Sequence, residues 1–482
     1  MNHKIIANVV GKIVLVEALL MALPALVSIF YGETDILWSF LVTITAALAI
    51  GSLLTWLPQP KDTVIYAKEG FVIVSLAWIG LSLIGALPFW LTGEIPNFVD
   101  AFFETVSGFT TTGASILTDV EGMSRGLLFW RSETHWVGGM GVLVFVMALI
   151  PNLSERSIHV LRAEVPGPTV GKLVPRIKDT AKILYSIYIV LTLVEIVFLL
   201  CGGMPLFDSV VHAFGTAGTG GFGIKADSIG GYSPYLQWVI AVFMLLFGVN
   251  FNLYYLLLIR RFRSALKSSE LWTYLGIVAV AVLLIGGNIY PLYHNLGDTL
   301  RHATFQVSSL ITTTGYSTVN FDLWPTFSKF LLVMLMLIGG CAGSTAGGLK
   351  VARVVLLFKQ LKSEMQRLLH PRAVKTVNFE GKRVDAQTMT GVNVYLGVYL
   401  MVLVAVILLL SLEPLMNFES NVTAAVACFN NIGPGLSAVG PMNSYAGYSD
   451  FSTLVLSAAM LLGRLEIFPL LLFASPATWT KK

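Results

Sequence analysis

The segment Thr313-Thr314-Gly315-Tyr316-Ser317 decides how this sequence is interpreted, because related segments recur in three matching positions. It ends a semi-apolar stretch, 296–317, whose helical part is too short to cross a bilayer, and it lies between two long apolar runs. The other three copies end Thr111-Thr112-Gly113-Ala114-Ser115, Thr219-Gly220-Gly221-Phe222-Gly223 and Gly433-Pro434-Gly435-Leu436-Ser437. The pattern predicts a unit used four times: spanning helix, short dipping helix, extended Gly-rich segment, spanning helix. We call the four Gly-rich pieces Gly segments 1 to 4, at 111–115, 219–223, 313–317 and 431–437.

A single Gly/Ser/Thr stretch would be explained more simply as a flexible outer loop, but four in matching positions favour a pore. Non-helical backbone exists at membrane depth only where it is buried in protein or lines a water-filled cavity. Glycine permits backbone angles that let successive carbonyls point the same way, and a ring of carbonyls replaces the hydration shell of a monovalent cation. The residues predicted to form this filter are Thr111, Thr112, Gly113, Gly220, Gly221, Phe222, Thr313, Thr314, Gly315, Tyr316, Asn431, Ile432, Gly433 and Gly435.

The composition places the whole chain in a membrane. Of its 482 residues, 55% are hydrophobic and only 12% are charged, whereas a soluble domain carries roughly 25% charged residues. This excludes an ordinary cytosolic enzyme, a disordered chain and a secreted disulfide scaffold. We therefore predict an all-α membrane protein with ten transmembrane helices, near 7–31, 36–57, 70–92, 127–150, 182–202, 235–259, 271–290, 326–357, 391–412 and 451–474.

These spans group into two N-terminal helices and four pseudo-symmetric helix–pore-helix–filter–helix repeats around a central pore. The predicted units are residues 1–60, then 65–155, 180–265, 270–360 and 390–478 for pore repeats 1 to 4. Most of the 31 Lys and Arg residues fall on one side of the spans, in the loops 151–181 and 358–390, in other short loops and at both termini. The positive-inside rule makes this face, with both termini, cytoplasmic. The long loops are expected to meet a cytosolic partner or to act only as topogenic loops.

The predicted helix 326–357 carries a Gly-rich interruption. Five glycines in ten residues oppose a regular helix, since each costs about 1 kcal/mol relative to alanine. We expect an intramembrane loop that acts as a movable gate on the cytoplasmic side of the filter; the alternative is a helix-packing seam of small residues. The residues of this predicted gate are Gly339, Gly340, Cys341, Ala342, Gly343, Ser344, Thr345, Ala346, Gly347, Gly348 and Lys350. Lys350 either snorkels to the inner surface or touches the loop.

Arg464 lies inside the last predicted span, where a charge is costly and is by default functional. Pointed into the ion path, it would form a barrier to a second cation. The alternative is a buried ion pair, but Glu466 is two residues away on the helix and so does not face it. Arg131 and Glu133 are interpreted as a structural charge cluster, and His212 as a packed histidine rather than a metal ligand.

No catalytic residue is predicted, because the sequence contains no complete phosphate-binding loop, His-Glu-x-x-His or Cys-x-x-Cys motif. One rival function is a symporter that couples the cation to sodium or protons. It requires carboxylates near the midplane, for which Glu195 and Glu466 are the candidates. A membrane-embedded enzyme and a receptor or scaffold are weaker rivals, because neither explains four filter-like segments.

The sequence resembles the superfamily of Trk, Ktr and HKT potassium transporters, and most closely its bacterial TrkH/TrkG branch. The resemblance covers nearly the whole chain. The pieces that carry it are Gly segments 1 and 3, Trp130-Arg131-Ser132 with Trp136-Val137-Gly138-Gly139-Met140-Gly141, Gly339 to Lys350, and Asn431-Ile432-Gly433-Pro434-Gly435.

This resemblance implies potassium as the substrate, bound at the filter residues, with the loop 339–350 as gate and Arg464 as pore arginine. Glycine at all four filter positions, taken as Gly113, Gly221, Gly315 and Gly435, favours potassium over sodium, while Gly223 departs from the usual serine. The resemblance also implies a homodimer in the bacterial inner membrane. A separate cytosolic regulatory ring of the TrkA kind would supply nucleotide control, because this chain has no nucleotide-binding domain or other cofactor site. Membrane lipid is the remaining partner, and no nucleic acid is expected.

Overall fold

The computed structural model describes residues 1–58, 65–139, 141, 177–370 and 376–480, with the side chains of 177–180 left out. All secondary-structure elements that it describes in the first half of the chain are helices. The helices are α1 (His3–Leu20), α2 (Ala22–Tyr31), α3 (Thr34–Trp56), α4 (Ala67–Gly85), α5 (Leu87–Leu91), α6 (Phe98–Phe109), α7 (Arg125–Gly139), α8 (Ile177–Cys201), α9 (Leu206–Gly218), α10 (Pro234–Phe247) and α11 (Phe251–Leu258). The second part of the predicted span 127–150 and nearly all of the basic loop 151–181 lie outside the described residues.

The second half adds one small hairpin to further helices. The elements are α12 (Phe262–Leu266), α13 (Ser269–Tyr293), α14 (Leu296–Ile311), α15 (Thr326–Ile338), α16 (Val351–Leu369), strands β1 (Asn378–Phe379) and β2 (Lys382–Arg383), α17 (Ala386–Leu410), α18 (Phe418–Phe429), α19 (Asp450–Arg464), α20 (Phe468–Ala474) and α21 (Pro476–Trp479). Short 3₁₀ turns lie at Phe321–Leu323, Ser437–Val439 and Tyr445–Gly447. The largely helical fold predicted from the sequence is confirmed.

Six helical stretches in the described ranges are long and apolar enough to cross a membrane, and a bent pair adds a seventh. They are His3–Tyr31, Thr34–Trp56, Ala67–Leu91, Ala181–Cys201, Ser269–Tyr293 and Ala386–Leu410, with the pair Pro234–Phe247 and Phe251–Leu258. Each coincides with a predicted span. The total of ten spans stays a prediction.

Two spans that the sequence predicts as continuous are interrupted. The predicted span 235–259 bends by 89° between α10 and α11. The predicted span 451–474 ends at Arg464 and resumes at Phe468, because Glu466 and Ile467 have φ values of 55° and 67°, which no α-helix allows. Hydropathy continues across both breaks, so the apolar pattern alone does not reveal them.

Side-chain polarity is distributed as expected for a protein with lipid outside and a polar path inside. Large apolar side chains lie exposed on the long helices, for example Trp38, Leu193, Leu283 and Met401. The polar residues on the short helices and their C-terminal ends are buried: Glu104, Thr105, Ser107, Thr110, Thr111, Thr112, His212, Thr216, Gln306, Ser308, Ser309, Thr312, Thr313, Asn430 and Asn431. Hydrocarbon tolerates the first group, and the second group requires a polar interior.

Candidate ion-permeation site

Four short helices, α6, α9, α14 and α18, end in the same backbone geometry. One or two residues after each helix lies a residue with a left-handed φ of 55° to 57°: Thr111, Thr219, Thr313 and Asn431. The next N–H bonds back to the fifth preceding carbonyl at 2.8–2.9 Å: Thr112 to Ser107, Gly220 to Gly215, Thr314 to Ser309, and Ile432 to Ala427. A β-branched residue at positive φ is strained and persists only where its surroundings enforce it. The matching caps therefore turn all four Gly segments in the same way at the helix ends.

The four Gly segments contact one another in a closed cycle. A Cβ atom added to Gly113 would lie 1.8 Å from the Gly220 carbonyl oxygen, and one on Gly221 would lie 2.0 Å from the Thr314 carbonyl oxygen. One on Gly315 would lie 3.1 Å from the Gly433 nitrogen, and one on Gly433 would lie 2.5 Å from the Gly113 carbonyl oxygen. Segment 1 thus meets segment 2, then 3, then 4, which returns to segment 1. The backbones surround one axis, and three of the four approaches leave no room for a side chain.

The fourth position of this ring is Gly433, which corrects the sequence alignment that placed Gly435 there. Gly433 follows the left-handed Asn431 by two residues, the same spacing that separates Thr111 from Gly113. Gly435 instead donates its N–H to Val439 O at 2.7 Å, four residues further along the same segment of chain. When the four segments are aligned on their Gly-x-Ser pattern, Gly435 takes the filter position, two residues too late. The error arises because Gly433 and Gly435 lie on either side of Pro434.

A cavity of about 290 Å³ opens over the ring. Gly113, Gly221, Gly315 and Gly433 all line it, and Gly435 does not. Among the residues that the structure describes, no group of three or more His, Cys, Asp or Glu is placed to hold a metal ion.

Side chains connect neighbouring Gly segments behind the ring. The Tyr316 hydroxyl lies 3.2 Å from both the His212 and Phe222 carbonyl oxygens, which joins segment 3 to segment 2. Asn431 Nδ2 donates to Thr112 Oγ1 at 3.1 Å, which joins segment 4 to segment 1. These bonds hold the spacing between neighbouring Gly segments.

A buried ion pair between Arg131 and Glu104 joins segments 1 and 2. Glu104 accepts hydrogen bonds from Ser115 Oγ at 3.0 Å and from the Ile116 N–H at 2.8 Å. Arg131 donates to Gly223 O at 3.0 Å, at the end of segment 2.

The sequence context assigns Arg131 to a charge cluster but does not identify its partner. Glu104 lies 27 residues earlier on α6. Glu133, assigned to the same cluster, is buried and forms no ion pair with any residue in the described ranges. The one available signal was that a buried Arg requires a buried carboxylate.

The segment 339–350 has no helical structure and lies directly under the ring. Its Gly347 N–H donates to Thr313 Oγ1 at 2.6 Å. Earlier in the segment, Cys341 N–H donates to Gly248 O, and Gly343 O accepts from Phe251 N–H, both at 3.0 Å. The segment, which we call the gate loop, is therefore held between the third Gly segment and the bend between α10 and α11.

Arg464 joins the gate loop to the end of α7. It donates to Thr345 O at 3.1 Å and to the carbonyl oxygens of Gly138 and Gly139. Glu466 pairs with Arg353 instead, a partner that the sequence does not identify. The Arg464 guanidinium therefore lies among carbonyl groups of the gate loop and α7.

Lys350 is 2% exposed and donates to Ala346 O. It therefore touches the gate loop and does not snorkel to the surface, which settles the alternative left open by the sequence.

Comparison with known proteins agrees with this geometry. The TrkH family model, described as a cation transport protein, matches residues 37–481. The potassium uptake protein TrkH of Salmonella typhimurium is 38% identical, over 99% of this chain and 100% of its own length. TrkG of Escherichia coli K12 is 34% identical, over 99% of this chain and 98% of its own.

Among solved structures, the crystal structure of the potassium transporter TrkH from Vibrio parahaemolyticus superimposes with a TM-score of 0.87 at 33% identity, covering both chains in full. A family of transport proteins also agrees with the prediction that this chain is not an enzyme. The matches extend over nearly the whole chain, and the resemblance inferred from its motifs is confirmed: the chain belongs to the TrkH family of cation transport proteins.

Proposed function

We propose that this chain takes up potassium across the bacterial cytoplasmic membrane, through a channel-like path along the axis of the four Gly segments. The observation that carries the proposal is the closed cycle of Gly113, Gly221, Gly315 and Gly433, each against the backbone of the next segment. The names of the relatives, potassium uptake proteins, fit this substrate.

The ring selects by replacing water around the ion. Carbonyl oxygens carry no full charge, so they strip and coordinate a monovalent cation without trapping it. The C-terminal ends of α6, α9, α14 and α18 are turned to the ring and add negative potential. A side chain at Gly113 would displace the Gly220 carbonyl, because its Cβ atom would lie 1.8 Å away.

Potassium moves down its electrochemical gradient in this account. The membrane potential, negative inside, contributes about 2.3 kcal/mol per charge per 100 mV. The gate loop blocks the path beneath Thr313, and Arg464 sets an electrostatic barrier beside it. Opening requires that the loop separate from both contacts.

The basic loops place the gate side in the cytoplasm, where a nucleotide-binding ring of the TrkA kind is expected to act. The family resemblance further supports a homodimer whose two chains each contain one pore. The ten-span, four-repeat arrangement belongs to the same proposal and is supported by the four matching helix caps.

The direct experiment is tracer flux in liposomes that contain the purified chain, with rubidium as the potassium substitute and protein-free liposomes as control. When a potassium gradient is imposed across the liposome membrane, rubidium should enter the liposomes. Sodium should enter far more slowly. Equal sodium and rubidium flux would remove the selectivity claim, and no flux of either ion would remove the pore.

A second candidate is symport of potassium with sodium or protons. It is favoured by Glu133 and Glu195, two fully buried carboxyl groups that form no ion pair with any described residue. Rubidium accumulation driven by a proton or sodium gradient alone, against a rubidium gradient, would establish coupling. The channel-like account predicts no such accumulation.

A further inference from the structure

A small hairpin in the loop between α16 and α17 has an unusual turn. Strands β1 and β2 pair Phe379 with Lys382, so the turn contains only Glu380 and Gly381. Their φ values are 49° and 73°. A two-residue turn of this kind normally takes Asn or Gly first, and a Glu with positive φ is strained. Such strain persists only where the surroundings enforce it, which draws attention to the contacts of Glu380.

The Glu380 carboxylate binds the N-terminal end of α13. Its Oε1 accepts from Ser268 Oγ at 3.2 Å, from Ser269 Oγ at 3.0 Å and from the Glu270 N–H at 3.0 Å. A carboxylate at this end satisfies an unpaired N–H and interacts favourably with the helix dipole. The hairpin is therefore attached to α13 through one side chain.

The side chain of Glu270 continues this connection to the gate loop. Glu270 is 4% exposed, and its Oε1 accepts from the Ala342 N–H at 2.6 Å. Glu270 thus donates its backbone N–H to the hairpin carboxylate and binds the gate loop through its own carboxylate. Any shift of the first turn of α13 moves both bonds together.

The hairpin is also attached to the helix that leaves the gate loop. Lys359 Nζ of α16 donates to Asn378 O at 2.9 Å, and Phe379 is 9% exposed. Helix α16 begins at Val351, directly after Lys350. The hairpin consequently contacts the element that follows the gate loop and, through Glu270, the start of the loop itself.

We propose that the hairpin 378–383 is a lever for the gate loop, and that Glu270 and Glu380 are the positioning residues that transmit its displacement. This inference rests on the proposed gating role of 339–350. It adds a route by which a displacement at the cytoplasmic surface is transmitted to the gate loop. Displacement of the hairpin releases the first turn of α13, removes the bond from Glu270 to Ala342 and frees the gate loop to leave the ring.

Cys341 reports on the gate loop without any measurement of transport. It is a free cysteine, fully buried, next to Ala342, whereas Cys428 is buried on α18 and serves as an internal control. In a Cys201→Ser background, we measure the rate at which N-ethylmaleimide modifies each cysteine in the detergent-solubilised full chain, by mass spectrometry.

Glu380→Ala and Glu270→Ala should each speed modification of Cys341 about tenfold, as expected when the gate loop loses the hydrogen bond between the Ala342 N–H and Glu270. Cys428 should keep its rate. The double variant should be no faster than the faster single variant, because both changes break one connection. Glu364→Ala is the matched control, an exposed carboxylate on α16 whose partner is Arg367, and it should change nothing.

Unchanged rates of Cys341 modification in both single variants would overturn the proposed lever. A double variant whose rate increase is the product of the two single increases would overturn it as well. Faster modification of both cysteines would mean general loosening of the fold and would also overturn it. The thiol rates do not depend on which ion permeates, so failure of the flux experiment and failure of the lever are separate results.

Discussion

Replacing Gly113 by alanine tests the geometry of the ring. The new Cβ atom would lie 1.8 Å from the Gly220 carbonyl oxygen. An ordinary contact between carbon and oxygen is about 3.3 Å, so the two backbones must separate by about 1.5 Å. This displacement moves a carbonyl that we assign to the ion and widens the ring on one side. Gly113 also has a φ of 79°, which adds about 1–2 kcal/mol of strain for any other residue.

Gly93→Ala separates the two effects. Gly93 has a φ of 76° but nothing within 4 Å of an added Cβ atom, so it takes the strain without the collision. The assay is the ratio of rubidium to sodium flux in liposomes, with elution on size exclusion to verify folding. We expect Gly113→Ala to lower the ratio at least tenfold, a change of about 1.4 kcal/mol in discrimination, and Gly93→Ala to leave it unchanged. A folded Gly113→Ala protein with the parent ratio would refute the reasoning.

Three further predictions concern the ring, the barrier and an outer loop. Gly433→Ala should reduce rubidium flux much more than Gly435→Ala, because only Gly433 faces the neighbouring segment; equal losses in the same liposome assay would contradict the corrected register. Arg464→Ala should raise the initial rate of rubidium uptake several-fold, since it removes a charge and the three bonds that join the gate loop to the end of α7, and a slower rate in a folded protein would contradict the barrier. Hydrogen bonds from Ser449 lower the pKa of the Glu413 carboxyl, so its contribution to stability is present above the unfolded pKa of about 4.3 and is lost as the pH falls through the lower folded pKa. Glu413→Gln should therefore lower the melting temperature more at pH 7 than at pH 3; an equal loss at both would contradict this assignment.

The parts of the fold that the sequence predicts are those with local causes. Long apolar runs such as 386–410 form spans because only helices satisfy their backbone in lipid. The Gly-rich piece 339–350 does not form a helix because glycine opposes it in any surroundings. The Gly segments were found because Thr and Gly recur in the same order after each short helix.

What the sequence misses depends on contacts between distant residues. The bend after Phe247 is stabilised by bonds from Cys341 N–H and to Gly343 O, almost a hundred residues further along, and the apolar pattern contains no trace of them. The pairing of Arg131 with Glu104 joins two helices whose spacing no local rule fixes. The register of Gly segment 4 was misplaced because its left-handed residue is Asn431, where the other three have threonine.

The most direct test of the central claim, potassium permeation through the four-glycine ring, is the reversal potential of the purified chain in a planar bilayer with potassium on one side and sodium on the other. The account predicts a potential that follows potassium, with a shift of about 59 mV for each tenfold change in potassium activity. A reversal potential that stays at zero, or that follows a proton gradient instead, would contradict it.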